Sequence, residues 1–207
     1  GFGKNLQTKV QAEPGEALKW QGNTLVTVDT SPNLRWIGSG RTVLNNKGNP
    51  VKQYEPFFSS TFEYESEDAL VEIGFSSVLY YDPLGRAIQV EHANGTFSKT
   101  EFDAWKQLIF DENDTVLESA WYSDRGSPNP VAAEPANAEQ RAAWLAAKHA
   151  NTPAQEHFDS MGRTVYTIAD NGAAGKYATQ FILDIESNRR EVIDARNNGV
   201  MKYDYDM

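Results

Sequence analysis

One short motif recurs along the chain and restricts what it can fold into: an aromatic or aliphatic residue, then Asp, two variable residues, Gly and Arg. Tyr81-Asp82-Pro83-Leu84-Gly85-Arg86 is the fullest copy and Phe158-Asp159-Ser160-Met161-Gly162-Arg163 the second. Phe102-Asp103, Leu183-Asp184 and Tyr205-Asp206 are weaker copies. The aspartates at 82, 103, 159, 184 and 206 stand 21, 56, 25 and 22 residues apart. A second turn signal lies about halfway through several repeats, at Asn94-Gly95, at Asp170-Asn171-Gly172 and from Asp194 to Asn198. Turns at that density predict an antiparallel meander of hairpins.

The turn chemistry is explicit. Asp at the first position of a type I turn accepts a hydrogen bond from the backbone two residues on. Gly at the fourth position supplies the positive φ that returns the chain into the next strand as a bulge. Asn takes the same conformation, which accounts for Asp194-x-x-Asn197, and Asn45-x-x-Gly48 carries Asn in the acceptor role. The Tyr or Phe before Asp is expected to pack on a sheet face, and the Arg after Gly to reach a nearby carboxylate. Between the turns, Arg86–His92, Arg163–Ile168 and Thr179–Leu183 read as strands with apolar residues on both faces.

The long gap between Asp103 and Asp159 reads as an insertion. Residues 126–135 hold three prolines and cannot form regular structure. Asn137–His149 is alanine-rich, with Asn137 as N-cap, Glu139 in the first turn and Lys148 and His149 in the last, and so predicts a helix. Ala138, Ala142 and Leu145 would form its apolar stripe, flanked by Trp144. The expected organisation is a β-hairpin segment over 1–121, a proline-rich linker and helix over 122–156, and a second β-hairpin segment over 157–207. The three form one repeat region. Gly1–Lys4 reads as the end of one repeat and Tyr203–Met207 as the start of another, so neighbours on both sides are expected.

The pattern resembles the RHS or YD-repeat family, which includes bacterial RHS polymorphic toxins, the B and C components of insecticidal toxin complexes, and the teneurins. The longer strings NNKGNPVKQYEPFF (45–58), NGTFSKTEFDAW (94–105), NDTVLESAWY (113–122) and HFDSMGRTVYTIADNG (157–172) are similar to the toxin branch. The resemblance implies a ribbon of hairpins that curves and spirals into a shell around a C-terminal toxin. This chain would be a section of that wall, flanked by further repeats of the same polypeptide and secreted or delivered with it. Asp82-Pro83-Leu84-Gly85 matches the letters of the family's self-cleavage signature, but it lies within an ordinary repeat, so no protease role is carried onto it.

Other chemistries find little footing. The chain has no cysteine, which removes disulfides and thiolate chemistry. Its net charge of −10 opposes binding to nucleic acid. No apolar run approaches the ~18 residues of a membrane span. His92, His149 and His157 lack metal-ligand spacing, and no cofactor is expected. Asp111–Thr115 superficially resembles a calcium loop, but Val116 replaces its Gly and Tyr122 its bidentate Glu, so a hairpin turn is expected. Gly38-Ser39-Gly40-Arg41 is a turn rather than a nucleophile elbow. The acidic run Glu63/Glu65/Glu67/Asp68 reads as a solvated loop or edge strand. An enzyme is therefore not expected. The competing class is a carbohydrate- or surface-binding module that uses Trp20, Trp36, Trp105, Trp121, Trp144 and the tyrosines as stacking platforms.

Overall fold

A computed structural model describes residues 5–22, 24–39, 41–66 and 76–206. The half-repeat at Gly1–Lys4, Gly40, Glu67 and Asp68 of the acidic run, and Met207 lie outside the described residues. The turn expected over 38–41 is corrected in part, since Gly38 and Ser39 end a strand and pair with Lys9 and Thr8. The chain divides into two compact units, Gly1–Ala93 and Asn94–Met207. It is mostly β, with antiparallel sheets that do not close into a barrel.

In the first unit, β1 (Thr8–Ala12), β2 (Glu16–Gln21), β3 (Thr24–Asp29), β4 (Arg35–Ser39), β5 (Thr42–Leu44), β6 (Pro50–Tyr54), β7 (Phe57–Ser59), β8 (Ser76–Tyr81) and β9 (Ala87–Glu91) follow in order. A five-stranded sheet has the order β1-β4-β7-β2-β3. Its pairs are antiparallel except for a parallel bridge of Leu18 to Ser59. Ala17, Phe57 and Ser59 are buried there. Lys9 Nζ lies 5.1 Å from the centre of the Phe57 ring and 2.5 Å from Glu65 Oε1. The remaining strands form antiparallel hairpins, β5 with β6 and β8 with β9, joined by the β6–β8 ladder.

The second unit is a meander of β10 (Phe97–Phe102), β11 (Lys106–Phe110), β12 (Ala154–Phe158), β13 (Thr164–Asp170), β14 (Lys176–Leu183), β15 (Arg189–Ile193) and β16 (Gly199–Lys202). Each strand pairs antiparallel with the next. Between β11 and β12 the chain leaves the sheet over residues 111–153 and returns in register, with Lys106 opposite His157. This arm contains a 3-10 turn (Val116–Glu118), α1 (Ala120–Ser123) and α2 (Ala138–Ala147).

The best-buried apolar cluster lies in the arm: Val116, Tyr122, Ala143 and Ala147, with Trp121, Ala146 and Ala150 packed around them. A single layer of sheet leaves most side chains half-buried, so the arm supplies the thickness a core requires. Ser119 starts α1, donating to the Val116 carbonyl (2.7 Å) and accepting from the Tyr122 amide (3.2 Å). Asn137 caps α2, its Oδ1 accepting from the Glu139 and Gln140 amides at 2.9 and 3.1 Å. The proline-rich stretch is pinned at two carbonyls, Pro128 by the Tyr122 hydroxyl (2.6 Å) and Ala132 by Trp144 Nε1 (3.1 Å). The arm is tied to the sheet where the Trp121 amide donates to the Gly95 carbonyl (3.2 Å) and the Thr115 hydroxyl to the Phe97 carbonyl.

Three further expectations need correction. The buried face of α2 is Ala143, Trp144 and Ala147; Ala138 and Ala142 are exposed and Leu145 is 45% exposed. Alanine surrounds the helix, so the stripe carries little information, and the one large ring fixes which side turns inward. Residues 111–115 form no hairpin; they lead into the 3-10 turn, with Asp114 only 7% exposed. The departure from the sheet accordingly begins at residue 111 and ends at 153, rather than spanning 122–156. Ala154–Glu156 already pair with β11.

Candidate functional site

Hairpin turns are where the sequence concentrates its constraints. Five turns, starting at Asn45, Asp82, Asp159, Asp184 and Asp194, share one geometry. In each, the first residue's amide donates to the carbonyl four residues on, and the amide three residues on donates back to its carbonyl. The side-chain Oδ1 accepts from the amides two and four residues on, at 2.9–3.0 Å in every case. Each turn carries a register shift in the strand entering it: Val43/Leu44, Tyr80/Tyr81, His157/Phe158, Ile182/Leu183 and Val192/Ile193. This is a three-residue loop with a bulge, the form a type I turn takes when its fourth residue is left-handed.

The left-handed position is occupied by Gly48, Gly85 and Gly162 at φ 82°, 85° and 75°, but by Ser187 and Asn197 at 73° and 63° in the other two. Leu183-Asp184 is therefore a full structural copy whose sequence conceals it. Gly162→Ala is expected to lower stability by about 1 kcal/mol from backbone strain alone, because nothing lies within 4 Å of its Cβ position. Gly85→Ala is expected to cost more, since Asn49 Nδ2 stands 3.3 Å from that Cβ. Urea denaturation of both variants checks the order.

The arginines close on their own turns. Arg86 Nε and Arg163 Nε each lie 2.7 Å from Oδ2 of Asp82 and Asp159. Straps also run between successive turns. Lys47 Nζ donates to the Pro83 carbonyl (2.6 Å), while Arg163 reaches the Asp184 carbonyl (3.0 Å) and Ser187 Oγ (3.2 Å). Asp103 closes a tighter turn, its amide donating to the Lys106 carbonyl (2.8 Å). Tyr205 stacks on Tyr203 with ring centres 6.5 Å apart, and Asp206 is exposed.

These contacts set the charge state. Asp159 is held below the usual carboxylate range by the Arg163 side chain and amide, Asp194 by the Asn198 amide, and Asp170 by Lys176. At Asp82 and Asp184 desolvation is the largest single influence and pushes upward. The hydrogen bonds from Arg86 and Leu84, and from Asn188 and Glu186, together outweigh it. Each folded-state pKa lies below its unfolded value. The contribution is thus complete above about pH 4 and is lost as pH falls through the lowered values. Thermal melts from pH 6 to pH 2 should show the chain losing stability on the acid side of pH 4, and Asp159→Asn should flatten that slope.

The remaining candidates are dispersed. His92 follows β9 beside Ser77, His149 follows α2, and His157 lies in β12 edge-on to Tyr166. No group of three potential metal-binding side chains occurs among the described residues. A cleft of about 690 Å³ lies between the end of the arm and the β13–β14 turn, with Asp111, Asp114, His149 and Asp170 in its lining. Asp114 Oδ1 accepts from Thr152 and its Oδ2 from the Asp111 amide, and Asp170 Oδ2 holds Lys176 at 2.8 Å. Asp111 Oδ1 accepts from the Asn113 and Asp114 amides at 2.8 and 2.9 Å, so structural bonds engage all three of these carboxylates. Of the tryptophans, Trp105 is 58% exposed and Trp144 is buried, and the others fall between.

Repeated hairpins with carboxylate-closed turns define a β-rich structural repeat segment. No family model matches the chain, and no curated protein matches it by sequence. Solved structures do. The chain is similar to part of the Tc holotoxin pore of Photorhabdus luminescens, with TM-score 0.73, 27% identity, and coverage of 95% of this chain and 8% of that one. The TcdB2-TccC3 complex gives TM-score 0.72 and 28% identity over 95% of this chain and 9% of that one. The TcdB2-TccC3-Cdc42 structure gives 0.71 and 27% over 94% and 8%. The chain thus spans less than a tenth of the length of these proteins, and its fold is that of an RHS-like shell region of Tc toxin complexes. This agrees with the family resemblance in the Tyr-Asp motifs.

Proposed function

We propose that the chain is a wall segment of an RHS-type toxin shell, joined to further repeats of a longer secreted or delivered polypeptide and enclosing a C-terminal toxin cargo. The observation that carries this reading is the likeness to Tc toxin structures over 95% of the chain. The turn chemistry supports it, because its aspartates spend their hydrogen bonds on closing their own hairpins. The chain itself performs no catalytic step.

Limited proteolysis of the longer polypeptide tests the proposal. Cargo should resist a protease that degrades it once separated, and deleting the β14–β15 hairpin (residues 176–193) should expose it. Cargo digested equally fast with and without the hairpin contradicts the reading. The carbohydrate-binding alternative draws on one observation: Phe62 and Tyr64 are 68% and 52% exposed, and Tyr64 lines a cleft of about 440 Å³ with Trp20 and Glu63. A glycan panel probed with the chain and with Tyr64→Ala distinguishes it. Binding that the variant loses favours that reading, and no binding leaves the wall segment.

A further inference from the structure

The turns explain the Asp of Tyr-Asp; the tyrosine needs a separate account. Its hydroxyl makes the same contact in both units. Tyr81 Oη donates to the Pro50 carbonyl at 2.6 Å, and Tyr205 Oη to the Arg189 carbonyl at 2.9 Å. The acceptors are equivalent: Pro50 lies five residues after Asn45 and Arg189 five after Asp184. Each sits across the bulge of its own hairpin, Pro50 opposite Leu44 and Arg189 opposite Leu183. The donors are equivalent too. Continuing the β6–β8 register (Lys52 opposite Val78) by two residues puts Pro50 opposite Tyr80, with Tyr81 next. Continuing β15–β16 (Glu191 opposite Lys202) puts Arg189 opposite Asp204, with Tyr205 next.

Two junctions in the second unit lack a tyrosine, and they differ instructively. From Tyr166 opposite Gln180, the β13–β14 register puts Thr164 opposite Ile182, with Leu183 next. Thr164 lies across the bulge from Phe158, so Leu183 occupies the donor position opposite an equivalent acceptor. At the β11–β12 junction, Lys106 is opposite His157 and Phe158 is next. There the shorter turn already engages the Lys106 carbonyl with the Asp103 amide at 2.8 Å. That turn has no bulge, so phenylalanine, which has the ring without the donor, stands where the facing carbonyl is already taken.

We propose that the tyrosine of a Tyr-Asp pair is a latch between hairpins, its hydroxyl closing on the free bulge carbonyl of the hairpin before it. The ring fills the sheet face at any junction; the hydroxyl fixes the spacing between successive hairpins. This assignment holds whether or not the chain lines a toxin shell.

Four variants of the full chain test it by thermal unfolding and amide hydrogen exchange. Tyr81→Phe should lower Tm by about 2–4 °C, and Tyr205→Phe, more exposed, by less. Exchange should quicken locally, at the β6–β8 ends in the first variant and the β15–β16 ends in the second. Leu183→Tyr should raise Tm by a similar amount and slow exchange along β13–β14. Phe158→Tyr should give no gain. Equal gains from Leu183→Tyr and Phe158→Tyr overturn the proposal, as do unchanged Tm and exchange in Tyr81→Phe.

Discussion

Replacing Asp114 with alanine is expected to destabilise the second unit by about 3 kcal/mol, the largest loss from any single polar group in the arm. Asp114 is 7% exposed and joins the two ends of the arm. Its Oδ2 accepts from the Asp111 amide at 3.0 Å, where the chain leaves the sheet. Its Oδ1 accepts from the Thr152 amide and hydroxyl, both at 2.8 Å, where the chain returns. Its carbonyl also takes the Asn151 amide at 3.1 Å. Alanine retains only the last of these and leaves two amides without partners in a low-dielectric setting, which costs more than the bonds themselves contribute. Asp114→Asn preserves the Thr152 contacts but can turn an NH2 group toward the Asp111 amide, so about half the loss is expected. Urea denaturation measures both variants, and hydrogen exchange should place the loosening in residues 111–153.

The second large effect is expected at Trp144. The residue is 8% exposed, its indole donates to the Ala132 carbonyl at 3.1 Å, and Lys148 Nζ lies 3.2 Å from the ring centre. Trp144→Ala removes the largest buried side chain of α2 and releases the proline-rich stretch, at a cost of about 3–5 kcal/mol. Trp144→Phe keeps most of the apolar area and loses the bond to Ala132, at about 1–1.5 kcal/mol. Thermal melts separate the two. Exchange at Val131 and Ala132 should quicken in both variants, because Phe also lacks the indole donor.

What could be read from the sequence follows from where interactions are local. The turns at Asp82 and Asp159 were legible because every bond lies within five residues and the left-handed position is glycine. Asp184 was harder to recognise, because Ser187 takes that conformation and Asn188 stands in place of arginine. The helix was legible from its alanine and its Asn137 cap, whereas its inward face depended on a distant carbonyl at Ala132. The five-stranded sheet of the first unit left no trace in the repeat, since β4 and β7 meet through pairs such as Trp36 with Ser59. Asp114 was legible as an acidic turn residue but not as a clamp, because its partner Thr152 is fixed only once the arm has folded back.

The role in a toxin wall is tested most directly by electron cryomicroscopy of the longer polypeptide that carries this chain. A hollow particle is predicted, with strands β10–β16 (residues 97–110 and 154–202) forming successive hairpins of its wall and separate density enclosed within. A solid particle, or one in which these hairpins fold into a detached module with no enclosed density, would contradict it.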